Sequence, residues 1–163
     1  MSIVLPIAGS QAGEFSTWGN SRGIDLFFDY SSEVMSNVSG GERTGTGYNG
    51  LTSFGLDVDL GQAVGWEGTS FRLSGMDLHG SGIASRSGDI MGVSDIEGYG
   101  SVRLYESWVE KEFLESRVSI RAGLLLADEE FSTIDTAGPF LNATFGWPEF
   151  ISLNVSNTGP AFY

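Results

Sequence analysis

One stretch constrains this chain more than any other: Ser101 to Ala127, SVRLYESWVEKEFLESRVSIRAGLLLA. Successive side chains of a strand point to opposite faces. Val118, Ile120, Ala122, Leu124 and Leu126 share one parity; Ser119, Arg121 and Gly123 take the other. Upstream, Tyr105, Val109 and Phe113 fall on one face and Glu106, Glu110 and Glu112 on the opposite one. Trp108 shares the charged face, and Lys111 sits on the apolar one. Between the two runs, Leu114-Glu115-Ser116-Arg117 is short enough only for an antiparallel hairpin. A hydrocarbon face backed by a face of Arg and Glu predicts a wall between water and an apolar medium.

The same period of two recurs earlier in the chain. Over Gly23–Asn37, Ile24, Leu26, Phe28, Tyr30 and Val34 alternate with Asp25, Asp29, Glu33 and Asn37, the latter accompanied by Phe27 and Met35. Over Gly47–Leu60, Thr52, Phe54, Leu56, Val58 and Leu60 alternate with Asn49, Ser53, Gly55, Asp57 and Asp59. Over Ser70–His79, Phe71 and Leu73 share a parity, then Met76 and Leu78 take the opposite one. That change of phase at Gly75 predicts a β-bulge. Phe150–Val155 reads as the start of a further strand, and residues 137–145 as one or two helical turns ended by Gly146-Trp147-Pro148.

Composition agrees with an all-β chain. Glycine accounts for 24 of 163 residues, about twice the usual ~7%, and helices tolerate it badly whereas turns and bulges use it. Net charge is −13, with seven Arg and one Lys. No basic patch is present, which argues against a nucleic-acid partner. Cysteine is absent, so disulfides and thiolate metal sites are excluded. No apolar run is long enough for a transmembrane helix. Residues 1–17 read as an N-terminal segment that says little: Ile3 to Ala8 is apolar, but no Lys or Arg precedes it, so it makes a poor secretory signal.

The connections form a pattern of their own. Gly61–Thr69 and Leu114–Arg117 are short turns; Gly80–Gly100 and Asp128–Glu149 are long. Short connections at one end of an antiparallel sheet and long ones at the other are the arrangement of an outer-membrane barrel. A soluble extracellular β-sandwich for sugar binding or adhesion is the alternative, with the apolar faces packed on one another.

Sites for covalent chemistry are weak. His79 is the only histidine, lies in a strand and has no nucleophile elbow near it. Glu106, Glu110 and Glu112 are spaced like glycosidase carboxylates but lack a pocket. Asp57/Asp59, Asp95/Glu97 and Asp128-Glu129-Glu130 could ligate Ca²⁺, although no EF-hand spacing occurs and solvated acids are the plainer reading. The chain therefore reads as no enzyme, and no cofactor is expected.

Three separated stretches resemble the carbohydrate-selective porins of the OprB family. They are GERTGTGYNGLTSFGLDVDLGQAVGWEGTSFRLSGMDLHG (Gly41–Gly80), GDIMGVSDIEGYGSVRLYESWVEKEFLESRVSIRAGLLLADEEF (Gly88–Phe131) and FLNATFGWP (Phe140–Pro148). They agree in order over roughly Trp18 to Pro160. Two departures are local: the segment before the first strand is compressed to Trp18-Gly19-Asn20, and Leu124 stands where the family often carries Gln in RxGQLAAD. The third is length. The resemblance implies a sixteen-stranded transmembrane barrel from a chain more than twice as long, so residues 18–163 are expected to supply about six strands of it, as a fragment.

The resemblance further implies passive diffusion of mono- or oligosaccharides across the outer membrane, with lipid against the apolar face. Pore-lining candidates are Arg72, Arg103, Arg121, Glu106, Trp108, Glu110, Asp25, Asp29 and Asp57. Guanidinium groups would donate hydrogen bonds to sugar hydroxyls, and Trp108 would offer a flat face to a sugar ring. The competing reading is that these arginines pair with the surplus acids as structural ladders. Trp18, Trp66 and Tyr99, near strand ends, would fit an interfacial aromatic girdle, or equally the core rim of a soluble domain. The tight turns would lie at the periplasmic end; the long loops would lie outside, or one would fold inward to narrow the pore.

Overall fold

Antiparallel pairing organises everything described. The computed structural model describes residues 3–6, 15–16, 22–89 and 92–126. The strands are β1 (Ile3–Pro6), β2 (Phe15–Ser16), β3 (Ile24–Ser39), β4 (Gly45–Asp59), β5 (Thr69–Gly80), β6 (Ser101–Phe113) and β7 (Val118–Leu124). They form one sheet in the order β1-β3-β4-β5-β6-β7, with β2 also pairing β3. Sequential strands are neighbours from β3 onward, the commonest arrangement. At 16, 15, 12 and 13 residues, β3 to β6 exceed the ~9–11 residues that cross a bilayer as a tilted strand. The suggested helical turn at 137–145, the strand at Phe150–Val155 and Trp18 lie outside the described residues.

The faces of this sheet are inverted relative to a soluble protein. Residues opposite one another in an antiparallel pair share a face, so Leu26, Leu56 and Leu73 form one row across β3, β4 and β5. That face is exposed: Leu26 is 47% and Phe28 51% accessible, Leu104 54% and Ile120 59%. A large apolar side chain left in water forgoes ~1.5–3 kcal/mol. Repeated over four strands, that loss is incompatible with an aqueous surface. A sandwich would bury this stripe against a second sheet; here it faces outward.

The polar face carries the buried residues instead. Met35, Met76 and Leu78 are each 1% exposed and sit on the polar parity, Met76 and Leu78 opposite Ser53 and Leu51, and Met35 at the end of the sheet where β3 turns into β4. Between β5 and β6, the described residues 81–89 and 92–100 fold back over that end. The carbonyl of Gly82 seats on Gly47, where an added Cβ would lie 2.0 Å from the oxygen. Gly47 pairs with Met35, so the segment covers the polar face. Ile83, next in the chain, is fully buried, and a single helical turn, α2 (Ala84–Ser87), follows it. Of the two expectations for a long connection, this one folds inward; residues 127–149 lie outside the described set.

Four details differ from the sequence reading. First, the bulge is in β6. β5 keeps phase with β4 throughout, so Met76 and Leu78 lie on the polar parity and Asp77 and His79 on the outer one. The register slips between β5 and β6, where Ser74 pairs with Glu106 but Gly75 with Leu104, leaving Tyr105 extra. Second, the turn Gly61–Thr69 opens with a helical turn, α1 (Leu60–Val64), capped by Asp59, whose Oδ1 accepts from the amides of Gly61 and Gln62. Third, Ile3–Pro6 pairs along β3, from Ser39 to Met35. Fourth, Leu126, which shares the apolar parity, is buried just past the end of β7.

Lys111 on the apolar face is also explained. Its ammonium reaches back to the carbonyl of Glu67 and the hydroxyl of Thr69 at the turn. The stem lies along the apolar face while the charge reaches the rim, the usual behaviour of a lysine near an interface.

Candidate functional site: an arginine–carboxylate network on the polar face

The pairing registers stack the polar parity into rows. Asp25, Asp57, Arg72 and Trp108 form one row across β3 to β6. On one side of it lie Asp59, Ser70, Glu110 and Arg121. On the other lie Phe27, Gly55, Ser74 and Glu106, then Asp29, Ser53, Met76 and Arg103. All nine candidates thus share one face. The bulge secures this for Arg103: without the extra residue it would keep the parity of Tyr105 and Val109 and point outward. With it, Arg103 turns in and Val102 and Leu104 turn out.

Glu106 is the hub. It is 2% exposed. Its Oε2 lies 2.9 Å from Arg72 Nε and accepts from Ser74 Oγ at 3.0 Å. Its Oε1 accepts from the Trp108 indole at 3.0 Å. A carboxylate this buried persists because both oxygens have donors. Arg72 also approaches Asp57 at 3.7 Å. Arg121 donates to Glu110 Oε2 from Nε at 3.1 Å and from Nη2 at 2.9 Å.

Each of these two arginines also lies on an aromatic ring. The guanidinium carbon of Arg72 is 5.1 Å from the centre of Phe27, and that of Arg121 is 4.3 Å from the centre of Trp108. Stacking and charge pairing together hold a long, flexible side chain in one place. One face of Trp108 is therefore occupied by Arg121. The indole thus helps to position an arginine.

The network joins Asp57, Arg72, Glu106, Trp108, Glu110 and Arg121. Asp25 adjoins as the cross-strand neighbour of Asp57; Asp29 and Arg103 share the face one row beyond Glu106. Sequence reasoning missed the parts played by Phe27 and Ser74. An aromatic on an otherwise polar parity, opposite a glycine, is the signal that would have found Phe27. It also missed the bond from Asn49 Nδ2 to Glu33 at 2.8 Å. His79 stands on the outer face, with its ring stacked 5.9 Å from Tyr30 and tilted against Tyr48 at 6.1 Å; the two tyrosine hydroxyls also meet. The histidine is thereby separated by the sheet from Glu106 and Glu110. Among the described residues no group of three or more His, Asp or Glu could hold a metal ion.

The arrangement is chemically specific. Fixed donors and acceptors alternate across a wall whose reverse side is hydrocarbon. A sheet with an outward apolar face, an inward charged face, short turns at one end and a folded-in connection at the other is wall from a transmembrane β-barrel.

Comparison with known proteins agrees. The family model described as "Carbohydrate-selective porin, OprB family" matches residues 43–162, and the chain belongs to that family. "Porin B" of Pseudomonas aeruginosa is 25% identical over an alignment covering 71% of this chain and 29% of that protein. The "High pH structure of Pseudomonas putida OprB" superposes with a TM-score of 0.69 at 24% identity, covering 77% of this chain and 32% of that one. The chain therefore spans about a third or less of the length of these relatives.

Proposed function

We propose that this chain supplies wall to an outer-membrane pore through which carbohydrates diffuse passively. The observation that carries the reading is the inversion of the sheet, with exposed hydrocarbon on one face and a hydrogen-bonded Arg–Glu network on the other. Family membership and the relative named Porin B support it.

In this reading the polar face lines the water-filled passage. The nine candidates would then be wall groups, with Arg72 and Arg121 held by rings and carboxylates rather than free to swing. Sugar hydroxyls both donate and accept, so a wall presenting guanidinium N–H groups beside carboxylate oxygens can exchange bonds with them as the solute moves. No bond of the solute breaks. Passage requires contacts strong enough to replace water and weak enough to release. The turns at 60–68 and 114–117 lie at the periplasmic rim, and the segment 81–100 at the external one. Lipid covers Leu26, Phe28, Leu104 and Ile120, and Tyr30, Tyr48 and His79 mark the upper interface.

The test uses the complete reading frame that encodes this chain, reconstituted in planar bilayers. Ion current is recorded while glucose and a series of larger oligosaccharides are added. Sugar-dependent, saturable block is expected. A pore whose current no sugar reduces, or the absence of any pore, overturns the reading.

A further inference from the structure

The geometry points to Glu97 as the positioning residue that locks the inward-folded residues 81–89 against 92–100 and so fixes the aperture beside them. This rests on the reading of the polar face as a pore wall. A connection of this length is costly to order and uncommon without a function. Here one carboxylate closes it. Glu97 Oε1 accepts from the amides of Ile83 at 2.6 Å and Ala84 at 2.7 Å, and Oε2 from the amide of Val93 at 3.3 Å. The two arms of the segment are thus tied across ten or more residues of chain by a single side chain. The fit is close: a Cβ on Gly82 would lie 2.1 Å from Glu97 Oε1.

The tied segment is docked on the sheet through main chain. The carbonyl of Arg86 accepts from the amides of Glu42 and Arg43 at 2.9 and 3.1 Å and from Asn37 Nδ2 at 3.2 Å. Ser81 N donates to Tyr48 O at 2.8 Å. Glu97 makes none of these docking bonds itself. It acts by holding the arm that does, so its loss frees the segment without touching the barrel ladder.

Length and charge can be separated by substitution. Glu97→Gln keeps one acceptor oxygen for the Ile83 and Ala84 amides but loses the charge. Glu97→Asp keeps the charge but falls one methylene short. Glu97→Ala loses both. In the complete reading frame, single-channel conductance should rise on the order of twofold for the Ala and Asp variants and stay near the parent value for Gln. The opposite ranking, with Asp like the parent and Gln like Ala, makes Glu97 a field-setting charge and overturns the proposal. Folding is checked by heat-modifiable migration. Trypsin cleavage after Arg86 in reconstituted vesicles gives a second readout: protected in the parent and Gln, cut in Ala and Asp. Equal protection in all four also overturns it. Because cleavage is read without ion flow, a parent that forms no pore would sink the proposed function while still reporting on Glu97.

Discussion

Phe27 on β3 reaches across β4 to lie under Arg72 on β5, two strands away, with 5.1 Å between guanidinium carbon and ring centre. Gly55, between them, makes the reach possible. A Cβ there would stand 2.7 Å from Phe27 Cζ and 2.4 Å from the carbonyl of Leu73. The ring lies down where a side chain would otherwise stand.

Gly55→Ala should therefore displace the ring and loosen Arg72. Overpacking of this kind costs ~1–3 kcal/mol. Urea titration of the complete protein in vesicles should show that loss. Sugar block should weaken with it, since Arg72 is no longer backed by a ring; unchanged stability would mean that the strands separate to admit the methyl.

Arg72 and Glu106 should be energetically coupled. Removing Arg72 leaves the 2% exposed Glu106 carboxylate short of its counter-charge, whereas Arg72, 31% exposed, keeps water and Asp57 when Glu106 is removed, so the first loss should be the larger, ~1–3 kcal/mol. A double-mutant cycle of Arg72→Ala and Glu106→Ala should give a coupling of ~0.5–3 kcal/mol. Additive losses would show that Asp57 and Ser74 replace the missing partners.

The bulge at Tyr105 assigns sides to three consecutive residues. The chain lacks cysteine, so single cysteines can be read cleanly. Val102→Cys and Leu104→Cys, each carrying a thiol-linked fluorophore, should be quenched by nitroxides on lipid chains, and Arg103→Cys should react with a charged aqueous thiol reagent. The reverse pattern would place the bulge elsewhere. Leu104→Arg should also destabilise, by ~2–4 kcal/mol if the site is near mid-membrane.

The hairpin turn after β6 holds three consecutive non-glycine residues at positive φ: Leu114 at 52°, Glu115 at 57° and Ser116 at 63°. L-residues resist that conformation by about 1 kcal/mol or more each. Glu115→Gly should thus stabilise the protein by ~0.4–1 kcal/mol, measured as a higher urea midpoint. Ser116 is left in place because its hydroxyl donates to Glu112.

Much of the fold was legible because strand periodicity is a local property. Ile24 to Tyr30, Phe54 to Val58 and Val118 to Leu124 announce their faces through neighbours two residues away. The turn at 114–117 followed from its brevity, and the inward charges of Asp57, Arg72, Glu110 and Arg121 followed from parity. The division into an apolar face and a charged one was thus determined by the order of residues alone; that the apolar face stands exposed was decided by the sheet.

What the tertiary structure decided depends on residues far apart in sequence. Met76 and Leu78 looked like a change of phase in β5; only the unbroken pairing with β4 shows that they stay on the polar parity. Both are buried there, at 1% exposure. The extra residue belongs to β6, because a bulge is a mismatch between two strands and neither strand alone records it. Phe27 meets Arg72 only when three strands are in register, and Glu97 finds the amides of Ile83 and Ala84 only once the segment has folded onto Gly47. Alternation is written residue by residue, whereas register and loop docking are settled by contacts between distant segments.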